Sequence, residues 1–123
     1  MVKLNTIQKR ENLNTVFVLD ETGNGGANHK YSIVNKEIED GGHQEYALIQ
    51  FQNGARKLPD SIHGILDTDL LEIVRHRLLA FQQGQFATKE NEKALTHIEE
   101  ALLWMNKRVE DRIERNVLGT NNK

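Results

Sequence analysis

The chain has no cysteine, which excludes disulfides, thiolate zinc sites and cysteine nucleophiles together and fits a cytosolic protein. It has no apolar run approaching the ~18 residues needed to cross a bilayer. Residues 1–11 lack the apolar centre of a signal peptide. Nor is there an excess of one charge. The net charge is −2 and both halves are balanced, so no global field attracts a nucleic-acid polymer or a membrane. Hydrophobic residues are few, 37% against 28% charged. Such a chain fills one modest core, and long helices in it need burial against a second chain. There is no internal repeat and no low-complexity segment. The 123 residues suit one domain, expected to act in the cytoplasm.

What is present changes period half-way. Residues 14–20 (NTVFVLD) are β-branched and aromatic, and a glycine-rich turn, residues 21–27 (ETGNGGA), follows. Residues 31–35 (YSIVN) read as a second strand and 36–44 as an acidic loop. Residues 45–52 (EYALIQFQ) read as a third strand, with Ala47, Ile49 and Phe51 on one face. About three antiparallel strands are the minimum for a stable sheet, and only against a covering layer. That layer is expected from the second half.

Pro59, Asp60 and Gly64 mark the crossing to helical spacing. Asp67 or Thr68 is suited to cap a helix with apolar positions Leu70, Leu71, Val74, Leu78 and Phe81, ending near Gly84. Thr88 is suited to cap a second, whose series Leu95, Ile98, Leu102, Met105, Val109, Ile113 and Val117 runs to a stop at Gly119. The two helices, about 16 and about 31 residues long, span about 24 Å and about 46 Å. The fold class is therefore α+β: a small sheet (1–58) followed by a long antiparallel helical hairpin (67–118), within one domain, 1–123. The longer helix overshoots the shorter, and its unpartnered apolar stripe points to a homo-oligomer.

Few residues are arranged for chemistry. His97, Glu99 and Glu100 share the second helix, and Glu72 precedes His76 by one turn on the first. Facing carboxylates and imidazoles on paired helices can hold metals. Here, however, the next turns supply Leu102, Leu103, Trp104 and Met105 where a second acidic pair is needed, so the glutamates read as solvent-facing. His29, His43 and His63 fall in turns or loops without neighbours at ligand spacing, and no serine elbow or phosphate loop is present.

Two places remain. Lys107, Arg108, Arg112 and Arg115 cluster late in the second helix, with Arg108, Arg112 and Arg115 on one ridge. They can simply complement the helix dipole, with Asp111 and Arg115 as an i, i+4 pair, or they can hold phosphate oxygens. Phe81 and Asn91 flank the interhelical turn. Phe81 can be core or a plane on which a base stacks. Asn91 can be an ordinary first-turn residue, or can offer donor and acceptor to an adenine edge.

The stretch RLLAFQQGQFATKENEKALTHIEEALLWMNKR, followed by spaced arginines and ERNVLGT, resembles the helical hairpin of phage Thoeris anti-defence 1 and anti-CBASS 2 proteins. The β segment through FQNGARKLPD is similar to the first of these families, and the second is all-helical. The resemblance implies a sponge without catalysis and without a cofactor. Such a protein binds glycocyclic ADP-ribose, the signal of a defence system, in the infected bacterial host; some relatives also hold cyclic trinucleotides. It implies dimers or hexamers. It also carries ligand contact onto Phe81, Asn91, Arg108 and Arg112, with Arg56 in FQNGAR as a weaker match. The rival readings are a metal-dependent nucleotide hydrolase, separable by ligand turnover, and a small DNA-binding regulator, which the charge and the lack of a basic recognition helix disfavour.

Overall fold

In a computed structural model the described residues are 1–35 and 44–123. They form two compact units, Met1–Ile65 and Leu66–Lys123. The expected β segment falls in the first and the expected hairpin in the second. The acidic loop expected over 36–44, with His43, lies outside the described residues except for Gln44.

The first unit is a four-stranded antiparallel sheet in sequence order: β1 (Val2–Lys3), β2 (Asn14–Val18), β3 (Lys30–Asn35) and β4 (Glu45–Gln50). The three expected strands are present. The two-residue β1 is additional, too short to show any alternation in sequence. In β4, Ala47 and Ile49 are half-buried while Tyr46 and Leu48 are exposed, the alternation of a sheet with one covered face. Phe51 continues the covered face beyond the strand, bridging to Ile65 in parallel and meeting the Tyr31 ring edge-on at 5.6 Å. Ile33 pairs with Ala47 but Val34 pairs with Glu45, so Tyr46 is an extra residue that bulges the edge strand. A second bridge, Asn53 to Ile62, closes the loop carrying Arg56.

The β2–β3 turn is held by one carboxylate. Asp20 accepts the backbone N–H of His29 (2.9 Å) and of Lys30 (3.2 Å). Loss of solvent alone would raise its pKa, but these donors outweigh that and hold it below the ordinary carboxylate value. At the tip, Asn24 donates to Asn53 Oδ1 at 2.7 Å and so ties the glycine-rich turn to the segment after β4.

The second unit is the helical hairpin, α1 (Asp67–Gln82) and α2 (Lys89–Glu114). The cap of α1 is Leu66, one residue before the expected Asp67 or Thr68. Leu66 is extended, and its N–H is taken back by the Asp69 carboxylate at 2.8 Å, half of a capping box. Thr88 caps α2 as its residue type demands, its hydroxyl accepting from Asn91 N–H at 3.0 Å. At its far end α2 has 26 residues rather than about 31, and the expected stop at Gly119 is a correction. Asn116 adopts a left-handed φ of 58°. Its N–H reaches Ile113 O (3.0 Å) while Val117 N–H reaches Arg112 O (2.9 Å). These paired bonds are a Schellman stop. Asparagine tolerates that conformation better than other residues with a side chain, and the chain turns back there.

Leu70, Leu71, Leu78, Leu95, Ile98 and Leu102 are half-buried where the helices pack. Arg75 Nε donates to Glu99 Oε2 across the seam at 2.8 Å, and Glu72 lies 3.7 Å from the same guanidinium. With both partners about two-fifths exposed, this pair contributes about 0.2–1 kcal/mol. Among the described residues, Val34 is the one buried hydrophobic residue, at 7% exposure.

Candidate functional site: the hairpin turn and the late-helix arginines

The hairpin turn is built to be rigid. The Gln82 side-chain amide bonds both main-chain groups of Thr88: Thr88 N–H donates to its Oε1 (3.0 Å) and its Nε2 donates to Thr88 O (3.1 Å). Sequence reasoning missed this brace, because nothing in a glutamine's spacing says which backbone it will meet. Phe81, in the last turn of α1, is 36% exposed, so it is not a core residue within this chain. The Arg77 guanidinium lies 5.3 Å from its ring centroid, a cation–π contact that leaves an electron-rich face beside a positive charge.

Asn91 is half-buried in the first turn of α2. Its N–H is committed to the cap, and its Nδ2 is 3.5 Å from Phe86 O. The helix therefore places Phe81 and Asn91 at the same end of the hairpin. Phe86, strongly exposed in the turn between them, adds an aromatic that the apolar periodicity does not reveal.

The arginines lie elsewhere. Arg108 is exposed on α2. Arg112, one turn further, is only 7% exposed. Its guanidinium donates to the carbonyls of Val117 (3.1 Å), Thr120 (3.0 Å) and Asn122 (2.6 Å). Arg115 bonds Asp111 at 3.0 Å, the i, i+4 pair read from sequence, and also the Lys123 carbonyl. The ridge is therefore split: one arginine faces solvent and the next is enclosed by the returning tail. The 17 residues from Asn91 to Arg108 on one continuous helix separate them by about 25 Å. Arg56 is exposed in the closed loop of the first unit.

The acidic residues do not converge. Glu99 is half-buried and bonded to Arg75, which corrects its reading as solvent-facing, whereas Glu100 is exposed 3.8 Å from His97. Among the described residues, no three His, Cys, Asp or Glu side chains are grouped to hold a metal ion. Among the same residues no helix is long and apolar enough to cross a membrane.

The class of protein defined so far is a small α+β scaffold whose two-helix hairpin carries an exposed aromatic and an asparagine at its turn and arginines late in the second helix. The comparisons with known proteins sharpen this class. The model of the Acb2/Tad1 hairpin domain matches residues 45–110, from β4 through most of α2. A curated phage protein, Thoeris anti-defense 1 of Bacillus phage SBSphiJ7, is 40% identical over 77 residues, 63% of this chain. The chain spans about half the length of that relative, 54%. This chain belongs to the Acb2/Tad1 hairpin family, on its Thoeris anti-defence 1 side.

Proposed function

We propose that this protein is a phage anti-defence sponge. It binds glycocyclic ADP-ribose signals of the Thoeris system in the infected host cell and withholds them without degrading them. The observation that carries this reading is the end of the hairpin. A braced turn holds an exposed Phe81 and a half-buried Asn91, in a chain that is 40% identical over 77 residues to a phage anti-defence protein. Phe81 supplies the plane for the base and Asn91 the amide for its edge. Arg108, Arg112 and the weaker candidate Arg56 supply charge for the diphosphate. Cyclic oligonucleotides of the CBASS pathway are a second ligand class for the same scaffold.

Distance imposes a condition. A compact cyclic nucleotide cannot reach both Asn91 and Arg108, about 25 Å apart along one helix. The arginines of a pocket containing Phe81 and Asn91 therefore come from a second copy, packed antiparallel about a two-fold axis as a homodimer or within a hexamer. The experiment is to mix the protein with glycocyclic ADP-ribose, remove free ligand, heat, and weigh what is released. Intact ligand is the expected result; a hydrolysed product sinks the sponge reading and revives the nucleotide hydrolase. Phe81→Ala is expected to lose about 1–3 kcal/mol of binding and Asn91→Ala about 1 kcal/mol or more, both by calorimetry on folded protein.

A further inference from the structure

The most unusual group in the hairpin unit is Arg112. A charged side chain 7% exposed is normally paired with an anion, because burying an uncompensated charge is costly. Here the carboxylate next in sequence, Asp111, is bound to Arg115 instead. Among the described residues no acidic side chain lies within ion-pair distance of Arg112. Its N–H donors are met by three neutral carbonyls, those of Val117, Thr120 and Asn122.

The segment that supplies them is shaped for this purpose. Asn116 (φ 58°) and Gly119 (φ 79°) both take left-handed conformations and curl the chain back over the last turn of α2. Thr120 Oγ1 then ties the curl, donating to Val117 O at 2.5 Å and accepting from Asn122 N–H at 3.2 Å. The curl is made of local bonds, without a buried apolar anchor: Leu118 is 40% exposed and Val117 half-buried.

We propose that residues 117–122 are a displaceable strap, which occupies the Arg112 guanidinium with backbone carbonyls and must leave when a diphosphate takes their place. The inference rests on the reading of Arg112 as a ligand-charge residue and adds a competition to it. A carbonyl carries a partial charge, and a phosphate oxygen carries most of a full one. The guanidinium's bonds to carbonyls are already charge-assisted, but a phosphate adds the attraction of a second full charge and can take two N–H groups at once in a bidentate pair. The anion therefore wins locally, but its apparent affinity is reduced by the fraction of molecules with the strap closed. The strap keeps the buried cation satisfied while no ligand is bound, and sets a threshold concentration for capture.

The test loosens the strap without touching Arg112. Gly119→Ala puts a side chain at a positive φ, and Thr120→Val removes both hydroxyl bonds; circular dichroism confirms that the hairpin stays helical. Calorimetry uses two probes, inorganic pyrophosphate and glycocyclic ADP-ribose. Gly119→Ala is expected to bind pyrophosphate about fivefold tighter than the unaltered protein, given the conformational penalty of a left-handed residue. Thr120→Val shifts the same way, and neither gains in an Arg112→Ala background. Equal or weaker pyrophosphate binding by both variants overturns the strap, and so does a gain that survives Arg112→Ala. The sponge reading is judged separately. If glycocyclic ADP-ribose binds the unaltered protein but the strap variants gain nothing for pyrophosphate, the strap falls and the sponge stands. If pyrophosphate shows the gain and glycocyclic ADP-ribose never binds, the reverse holds.

Discussion

Gly64 carries no side chain because none fits. A Cβ built there would lie 2.2 Å from the Gln50 carbonyl oxygen and 2.7 Å from the Phe51 carbonyl carbon, and both are backbone atoms that cannot swing aside. The close approach lets Ile65 N–H reach Gln50 O and Gln52 N–H reach Ile65 O, which secures the strand-like return of residues 62–65. Gly64→Ala is expected to destabilise the sheet unit by about 1–3 kcal/mol, as overpacking does; a thermal melt with an unchanged midpoint would contradict this. In sequence Gly64 reads only as punctuation. The reason for it, a backbone crossing at van der Waals distance, exists only once Gln50 and Phe51 are beside it. Arg112 makes the same point in the other direction. Its spacing on a ridge with Arg108 and Arg115 suggests an outward row, yet the fold encloses it.

At the scale of elements, the hairpin is specified locally to an unusual degree. Thr88 caps, acidic Glu90 and Glu92 follow in the first turn, and the Gln82 amide seals the connection. Such a turn orients Phe81 and Asn91 through short-range bonds alone. Thr88→Ala removes the hydroxyl that accepts from Asn91 N–H and is expected to cost about 1 kcal/mol, read as a lower midpoint of the helical signal in urea. Thr88→Ser keeps the acceptor and should restore most of it. The two ends of α2 contrast in legibility. The start was legible because threonine before an acidic turn is a strong signal. The end was not: Val117 and Leu118 continue the apolar spacing, so periodicity carries the helix past Asn116, and only the Schellman bonds reveal the reversal.

At the scale of the whole molecule, the apolar stripe of α2 is the outstanding feature. With 26 residues against 16 in α1, α2 overshoots its partner by about 15 Å. Leu103 and Trp104 just before the overshoot, and Met105, Val109 and Ile113 on it, are all exposed, Trp104 by 69% and Ile113 by 50%. An open groove of ≈ 780 Å³ runs beside them, floored by Leu66, Leu102, Leu103 and Val109. An exposed apolar surface of this kind is suited to a protein contact, and the proposed homo-oligomer would cover it with a second copy of the same stripe. The doubly substituted Val109→Glu, Ile113→Glu protein is expected to sediment as a folded 14.1 kDa monomer, and the unaltered chain as a dimer or larger. A well-folded unaltered monomer would remove both the oligomer and the pocket shared between copies.

By itself the sequence determined the change from period two to period 3.6, and with it the α+β class. It also determined the start of both helices to within a residue, the Thr88 cap and the family, because each rests on neighbours within a few positions along the chain. Tertiary structure decided what depends on distant backbone: the bulge at Tyr46, the pairing of Glu99 with Arg75 and the enclosure of Arg112 by a returning tail. A side chain's type and spacing state what it can bond, but the partner is chosen by whichever carbonyl or carboxylate the folded chain brings within about 3 Å.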